Sequence, residues 1–276
     1  LVNFTPKVNY DPQMYQRNPV RSSLTKMGKL TGKRSGGIDF SIELKGAGSL
    51  IQEPEWARLI KACGFAINDL KKITIGVVTA GPFQHGETIT GGTSLATGRV
   101  VIETANGTTT LYFVVLTGAF QTGEVLTGGT SGATATTGSV PSDAGHEIKP
   151  ISSLVPSLTM GLYEDGIRKL LKGCRGTAKF NFKIGEPATV DFSFKGVEAG
   201  VIDTPLLTGL SFDDVVPPVL LNAVMSCDDV SLNIGELDID IANTLASKDK
   251  IDDEKGILSF MITERDTQGS FNPEMV

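Results

Sequence analysis

The chain has 276 residues and a formal charge of −6, with 40% apolar and 20% charged residues. That composition describes a globular protein, neither disordered nor embedded in a membrane. Its Lys and Arg residues are scattered, so it lacks the basic stripe of a sequence-reading nucleic-acid binder. The longest apolar runs, such as Leu111 to Leu116, are too short to span a bilayer. No basic–apolar–small-residue opening is visible, and no secretory signal is expected. Cys63, Cys174 and Cys227 are odd in number and form no CxxC pair, so they read as small buried hydrophobes in a reducing compartment.

Residues 1–23 carry Pro6, Pro12 and Pro19 without periodicity and read as an extended N-terminal arm. The alternation in IDFSIEL sets Ile38, Phe40, Ile42 and Leu44 against Asp39, Ser41 and Glu43, the pattern of a half-buried strand. The preceding SLTKMGKLTGKRSGG is expected to be its antiparallel partner through a glycine turn. In EPEWARLIKACGF the spacing of Trp56, Leu59, Ile60 and Cys63, with Gly64 as a stop, predicts a helix. ITIGVV (Ile73 to Val78) reads as a strand.

From Thr79 to Ser142 the only residues with formal charge are Glu87, Arg99, Glu103 and Glu124. This stretch holds two near-copies, FQHGETITGGTSLAT from Phe83 and FQTGEVLTGGTSGAT from Phe120, around an Asn106-Gly107 hairpin signal. Residues 79–143 read as a small β module inserted into a larger domain formed by 24–78 and 144–276. Neither copy has the lysine or the following helix of a phosphate loop, so both read as strand–turn–strand architecture.

YEDGIRKLLKGCRG suggests a turn and a short helical piece. AKFNFKI and TVDFSFKGV alternate around Gly185-Glu186-Pro187 as a β-hairpin, with Phe180, Phe182, Phe192 and Phe194 on one face. Its other face carries Lys179, Lys183, Asp191 and Lys195. VSLNIGELDIDIAN and GILSFMITE add strands, with Asp238 and Asp240 on a polar face. The fold class expected is mainly β: a barrel or sandwich of two packed antiparallel sheets with one flanking α-helix.

Candidate chemistry fails on spacing. His85 and His146 lie in loop-like sequence, GxSxG is absent, and KDKIDDEK lacks a calcium-loop pattern. No catalytic residue, cofactor or metal is expected, and the chain does not read as an enzyme.

Three motifs in order, Tyr163-Glu164-Asp165-Gly166, Gly173-Cys174-Arg175-Gly176-Thr177 and Gly185-Glu186-Pro187 to Gly196, carry a resemblance. With Pro217-Pro218, LDIDIAN and ITERDTQGSFNPE, the chain resembles the major tail tube proteins of long-tailed (siphophage-like) bacteriophages. The likeness covers about 146–276 and, more loosely, 21–75, but not the insert. It implies a structural virion protein that polymerises as stacked, hexameric rings into a conduit for genome ejection. It implies as partners the chain itself, a tape measure protein in the lumen, and tail terminator and distal tail or baseplate proteins. Double-stranded DNA would pass without specific binding, no membrane is involved, and assembly would occur in the bacterial host cytoplasm.

Under that resemblance Asp191, Asp238 and Asp240 are candidates to line the lumen. Phe4, Tyr10, Tyr15 and Arg17 are candidates for inter-subunit contacts of the arm, and the insert would sit on the outer surface. The alternative is a cell-surface or glycan-binding β-sandwich protein whose insert is the binding module.

Overall fold

The computed structural model describes residues 6–17, 20, 26–105, 107–210, 215–222, 225–227 and 230–273. The chain begins with β1 (Lys7–Tyr15) and β2 (Leu30–Glu43), followed by α1 (Ala57–Ala62). Then come β3 (Phe65–Thr74), β4 (Thr88–Gly91), β5 (Thr97–Ile102), β6 (Thr110–Thr117), β7 (Val125–Gly128), β8 (Thr134–Thr136) and β9 (Ser142–Pro150). The last part holds β10 (Leu158–Glu164), β11 (Ile167–Lys183), β12 (Thr189–Asp203), β13 (Met225–Cys227) and β14 (Val230–Leu232). It ends with β15 (Ile234–Asp240), β16 (Asn243–Asp249), β17 (Ile257–Arg265) and β18 (Gln268–Pro273). The protein is mainly β, with packed antiparallel sheets and one short helix among the described residues.

Two compact units divide the chain. The first takes in the described residues of Leu1–Gly46, Trp56–Phe65 and Ile151–Val276, and the second Ala47–Glu55 and Ala66–Pro150. In the first, an antiparallel sheet runs β1-β2-β12-β11-β15-β18, with β10 added to the first half of β11. The expected hairpin is present: Phe194 pairs across from Gly176, Phe192 from Ala178 and Val190 from Phe180. Val190, Phe192 and Phe194 are buried, and Phe40 lies tilted against Phe192 at 5.7 Å and stacked on Phe194 at 6.1 Å between ring centroids. The β16–β17 hairpin closes a smaller core of Val197, Ile257 and Phe260 with Leu245.

Glycines make the close approaches possible. A Cβ at Gly176 would stand 2.5 Å from both the Ser193 carbonyl oxygen and the Phe194 ring, so only glycine lets β11 meet β12 there. Asn243 ties the end of α1 to the sheet, its Nδ2 donating to the carbonyls of Cys63 at 2.7 Å and Gly176 at 2.9 Å.

Three local expectations are corrected. SLTKMGKLTGKRSGG does not fold back on IDFSIEL. Residues 30–43 are one strand, and its partners are β1 on one side and β12 on the other. IRKLLK is not helical but opens β11, paired on both edges after a turn at Asp165 (φ 42°) and Gly166 (φ 80°). The strand expected at Ile73–Val78 starts earlier, at Phe65, and ends at Thr74. The helix forms at the expected place but spans only six residues, and Gly64 at φ 89° ends it.

The second unit is a sheet in the order β8-β7-β4-β5-β6-β3-β9. Residues 75–79, following β3, bridge to β8 through Thr79–Thr134 and to Thr137 through Ile75, so the sheet returns on itself. Its interior holds an apolar cluster, with Ile73, Phe83, Ile89, Val100, Leu111, Phe113, Phe120 and Leu126 all buried. Strand β9 is fastened by side-chain pairs: Asn68 with Glu147 at 2.9 Å, Lys71 with Asp143, and Arg99 with Glu147.

Candidate functional site

Three groups of residues qualify as functional candidates: the polar face of the first sheet, the N-terminal strand, and the repeated loops. Chemistry of the catalytic kind finds little to work with. Burial pushes the Cys63 thiol far above its ordinary value and the Cys174 thiol up to about 11, which leaves both protonated and unreactive at neutral pH. His85 bonds its Nδ1 to the Val101 carbonyl at 2.6 Å, and the nearest acid to His146 is Asp69 at 3.5 Å. Among the described residues no three His, Cys, Asp or Glu converge as a metal set.

Directly paired residues of antiparallel strands share a face. The register therefore assembles four adjoining polar rows on the side of the first sheet opposite Val190, Phe192 and Phe194. One row holds Lys7, Asp39, Ser193 and Thr177. The next holds Ser41, Asp191, Lys179, Asp240 and Gln268, and the third Glu43, Thr189, Asn181, Asp238 and Ser270. Lys183 and Glu236 form the fourth. Asp191, Asp238 and Asp240 thus share one face, Asp191 on β12 and the other two on β15, with β11 between them.

Within these rows the carboxylates Asp39, Glu43, Asp191, Glu236, Asp238 and Asp240 outnumber the ammonium groups Lys7, Lys179 and Lys183. Two of the three lysines are also engaged. Lys179 Nζ lies 2.9 Å from Asp238, and that hydrogen bond, outweighing partial burial and aided by Asp191 and Asp240, holds its pKa above the ordinary value. Lys183 is raised first by its hydrogen bond to Glu186 at 2.8 Å. Asn181 donates to Asp191 at 2.7 Å. One row further on, Lys195 faces Arg175, whose guanidinium is used by the carbonyls of Val155 and Phe260. The centre of this surface, around Lys179, Asn181, Asp191 and Asp238, is hydrogen-bonded within itself, and the excess charge of the rows is negative.

In the N-terminal strand, two of the expected contact residues lie over glycines of their own chain. A Cβ at Gly36 would meet the Tyr10 ring at 3.2 Å, and one at Gly32 the Tyr15 ring at 2.5 Å. Tyr10 is half-buried, Tyr15 and Arg17 are exposed, and Phe4 lies outside the described residues.

The repeated loops hold an arrangement that sequence reasoning missed. Each copy's turn donates its backbone N–H groups to a carboxylate supplied by the other copy. Glu124 accepts from the backbone of Ser94 at 3.0 Å and Thr93 at 3.3 Å, and from the Ser94 hydroxyl. Glu87 accepts from the backbone of Ser131 at 2.9 Å and Thr130 at 3.1 Å, and from the Ser131 hydroxyl. Each glutamate also accepts from its own copy at 2.6 Å, Gln84 to Glu87 and Gln121 to Glu124. β4 and β7 pair antiparallel with Thr90 opposite Thr127, equivalent positions of the two copies, so a local two-fold axis passes between them.

Burial works to raise both glutamates. The bonds to Glu87 from the Ser131 and Gln84 N–H groups, the Ser131 hydroxyl and the Thr130 N–H prevail and hold its carboxyl below the ordinary range. The bonds from Ser94, Gln121 and Thr93 do the same for Glu124. The glycine-rich turns do cradle an anion, and the anion belongs to the fold. Glycine is required beside it, because a Cβ at Gly91 would lie 2.5 Å from Glu124 Oε2 and one at Gly128 2.8 Å from Glu87 Oε2. The readable signal was that two of four charges in a charge-poor stretch occupy equivalent places in a repeat.

Comparison with known families agrees with this picture of a sheet-rich body. A family model described as phage tail tube protein matches residues 2–276, and the chain belongs to that family. It is a structural, tail tube component of the virion. No curated protein matches the chain.

Proposed function

We propose that this member of the phage tail tube family polymerises as stacked hexameric rings, with the four polar rows of its first sheet facing a channel through which the genome passes. The observation that carries this reading is the placement of six carboxylates on one face of a sheet whose outer strands, β1 and β18, each pair on one side only among the described residues. A strand with a free edge is a template for a neighbour's strand, and repetition around an axis closes such edges into a ring. DNA must slide, and each unengaged cation on the wall would add affinity for phosphate. Here Lys179 and Lys183 are held by carboxylates, and the surplus is anionic. Six copies of a chain at −6 would put about −36 on a ring, a field that opposes adhesion of DNA.

In the same reading Tyr15 and Arg17, at the exposed end of β1, reach the adjoining subunit, and the 79–143 module lies on the outer surface of the tube. The tape measure protein occupies the lumen before DNA does. Terminator and distal tail or baseplate proteins cap the two ends, and assembly takes place in the host cytoplasm. No step calls for catalysis.

Negative-stain microscopy of the purified chain tests polymerisation. Hollow rings or tubes are expected, and a stable monomer at high concentration would overturn the reading. Reversing charge on the rows, Asp238→Lys with Asp240→Lys, should leave tubes intact and make them retain DNA at low salt. Equal DNA retention by both forms would remove the rows from the lumen.

A further inference from the structure

We propose that the second units of successive subunits dock head to tail, with Leu95 of one subunit entering an apolar depression beside Val77 of the next. The inference rests on the self-assembly reading above and adds a contact that it does not require.

The two-fold repeat supplies an internal control. Leu95 and Gly132 occupy the same place in the two turns, with φ of 55° and 71°, and their N–H groups donate to Gly91 at 3.1 Å and Gly128 at 3.2 Å. Left-handed backbone suits glycine and strains leucine. Leu95 therefore loses backbone stability relative to its twin. It recovers none by burial, since it is 73% exposed. A strained residue with no folding reason is a pointer to function.

A complement lies at the far end of β5. Leu95 is in the turn before Thr97, where β5 starts, and the depression includes Thr104 and Thr108, beyond its other end at Ile102. Six strand residues separate the two by about 20 Å. The depression measures about 380 Å³, with Ile75 as its buried floor and Val77, Val78 and Pro82 along its wall. That is ample for one leucine side chain. Val77 is 86% exposed, so the wall, like the knob, is apolar surface without a cover.

A knob at one end of a unit and a hole at the other make a heterologous contact, which propagates in one direction instead of closing as a dimer. The occupant follows from charge. Of the four charges between Thr79 and Ser142, Glu87, Glu124 and Arg99 are bonded internally and only Glu103 is exposed, which leaves little to steer a charged partner to this stretch. A second copy of this chain brings a matching knob at high local concentration.

Leu95→Gly installs the residue that the twin turn already holds, so it should fold at least as well as the parent. Expected is a melting temperature equal to or above wild type, together with a several-fold rise in the concentration needed to form polymer. Leu95→Cys combined with Val77→Cys should give a ladder of disulfide-linked multimers on a non-reducing gel, whereas each single variant gives dimers at most. Wild-type assembly behaviour for Leu95→Gly, or a cysteine pair without a ladder, would overturn the contact and leave polymerisation standing. A wild-type chain that forms no polymer would overturn both.

Discussion

At the residue scale the most informative side chains are Glu87 and Glu124, each buried and each holding the other copy's turn. Folded, both carboxyls titrate below their ordinary value of 4.5. A depressed acid contributes stability that is complete above the unfolded value and is lost as pH falls through the folded one. The second unit should therefore lose thermal stability below about pH 4. The Glu87→Gln, Glu124→Gln double variant should show a flatter acid limb, measurable by denaturation followed across pH. Each single Gln replacement keeps an acceptor but loses charge assistance, a cost of about 2 kcal/mol. The site of damage distinguishes this arrangement from ordinary loss of packing. Glu124→Gln should speed amide exchange at Ser94, and Glu87→Gln at Ser131, each in the opposite copy. Exchange confined to the mutated copy would contradict the exchange of partners. In the sequence the two glutamates stood out by position, yet Ser94 lies 30 residues from Glu124 and Ser131 lies 44 from Glu87, and only pairing of the copies could reveal them.

At the element scale, alternation made β12, β15 and β17 legible because each has one face against the core and one outside it. It failed at IRKLLK, where bulges interrupt the ladder between Leu170 and Leu171 and again between Lys172 and Arg175. A bulge shifts the side-chain phase by one residue, and two apolar residues in succession then mimic helical spacing. The long β11–β12 ladder is also where close packing is most demanding. Gly176→Ala would press a methyl group into the Ser193 carbonyl and the Phe194 ring, and should destabilise the first unit by about 2–3 kcal/mol. Gly166→Ala, at a left-handed turn with open space around it, should cost only about 1 kcal/mol. Denaturant titration of the two variants checks that order. By contrast, Lys179→Met removes a partly exposed ion pair and should change stability by less than about 1 kcal/mol, although it removes a cation from the polar rows.

At the scale of the whole molecule, composition marks where the charge-poor stretch begins, at Thr79, because Thr and Gly replace charged residues there. It gives no sign that β3 and β9, with the charged composition of the remaining chain, pair within the second unit. The chain leaves the first unit after Phe65 and re-enters at Ile151, whose N–H donates to the Gly64 carbonyl at 2.9 Å. Replacing residues 66–150 by a short Gly-Ser link should therefore leave the first unit cooperatively folded. Cutting at 79 and 143 would keep β3 beside β9 but strip β3 of β6 and of the apolar core, and should lower stability. Calorimetry of the two deletions compares them directly.

The polar rows were legible as alternation, whereas their union on one face depended on long-range register, with β2, β12, β11 and β15 coming from distant parts of the chain. Their placement in the tube is decided most directly by an electron cryo-microscopy map of the assembled polymer. Expected is a stack of rings whose inner wall carries Asp191, Asp238 and Asp240, with β1 and β18 joined to neighbouring subunits. A polymer with those three carboxylates on its outer surface, or with both strand edges left unpaired, would contradict the assignment.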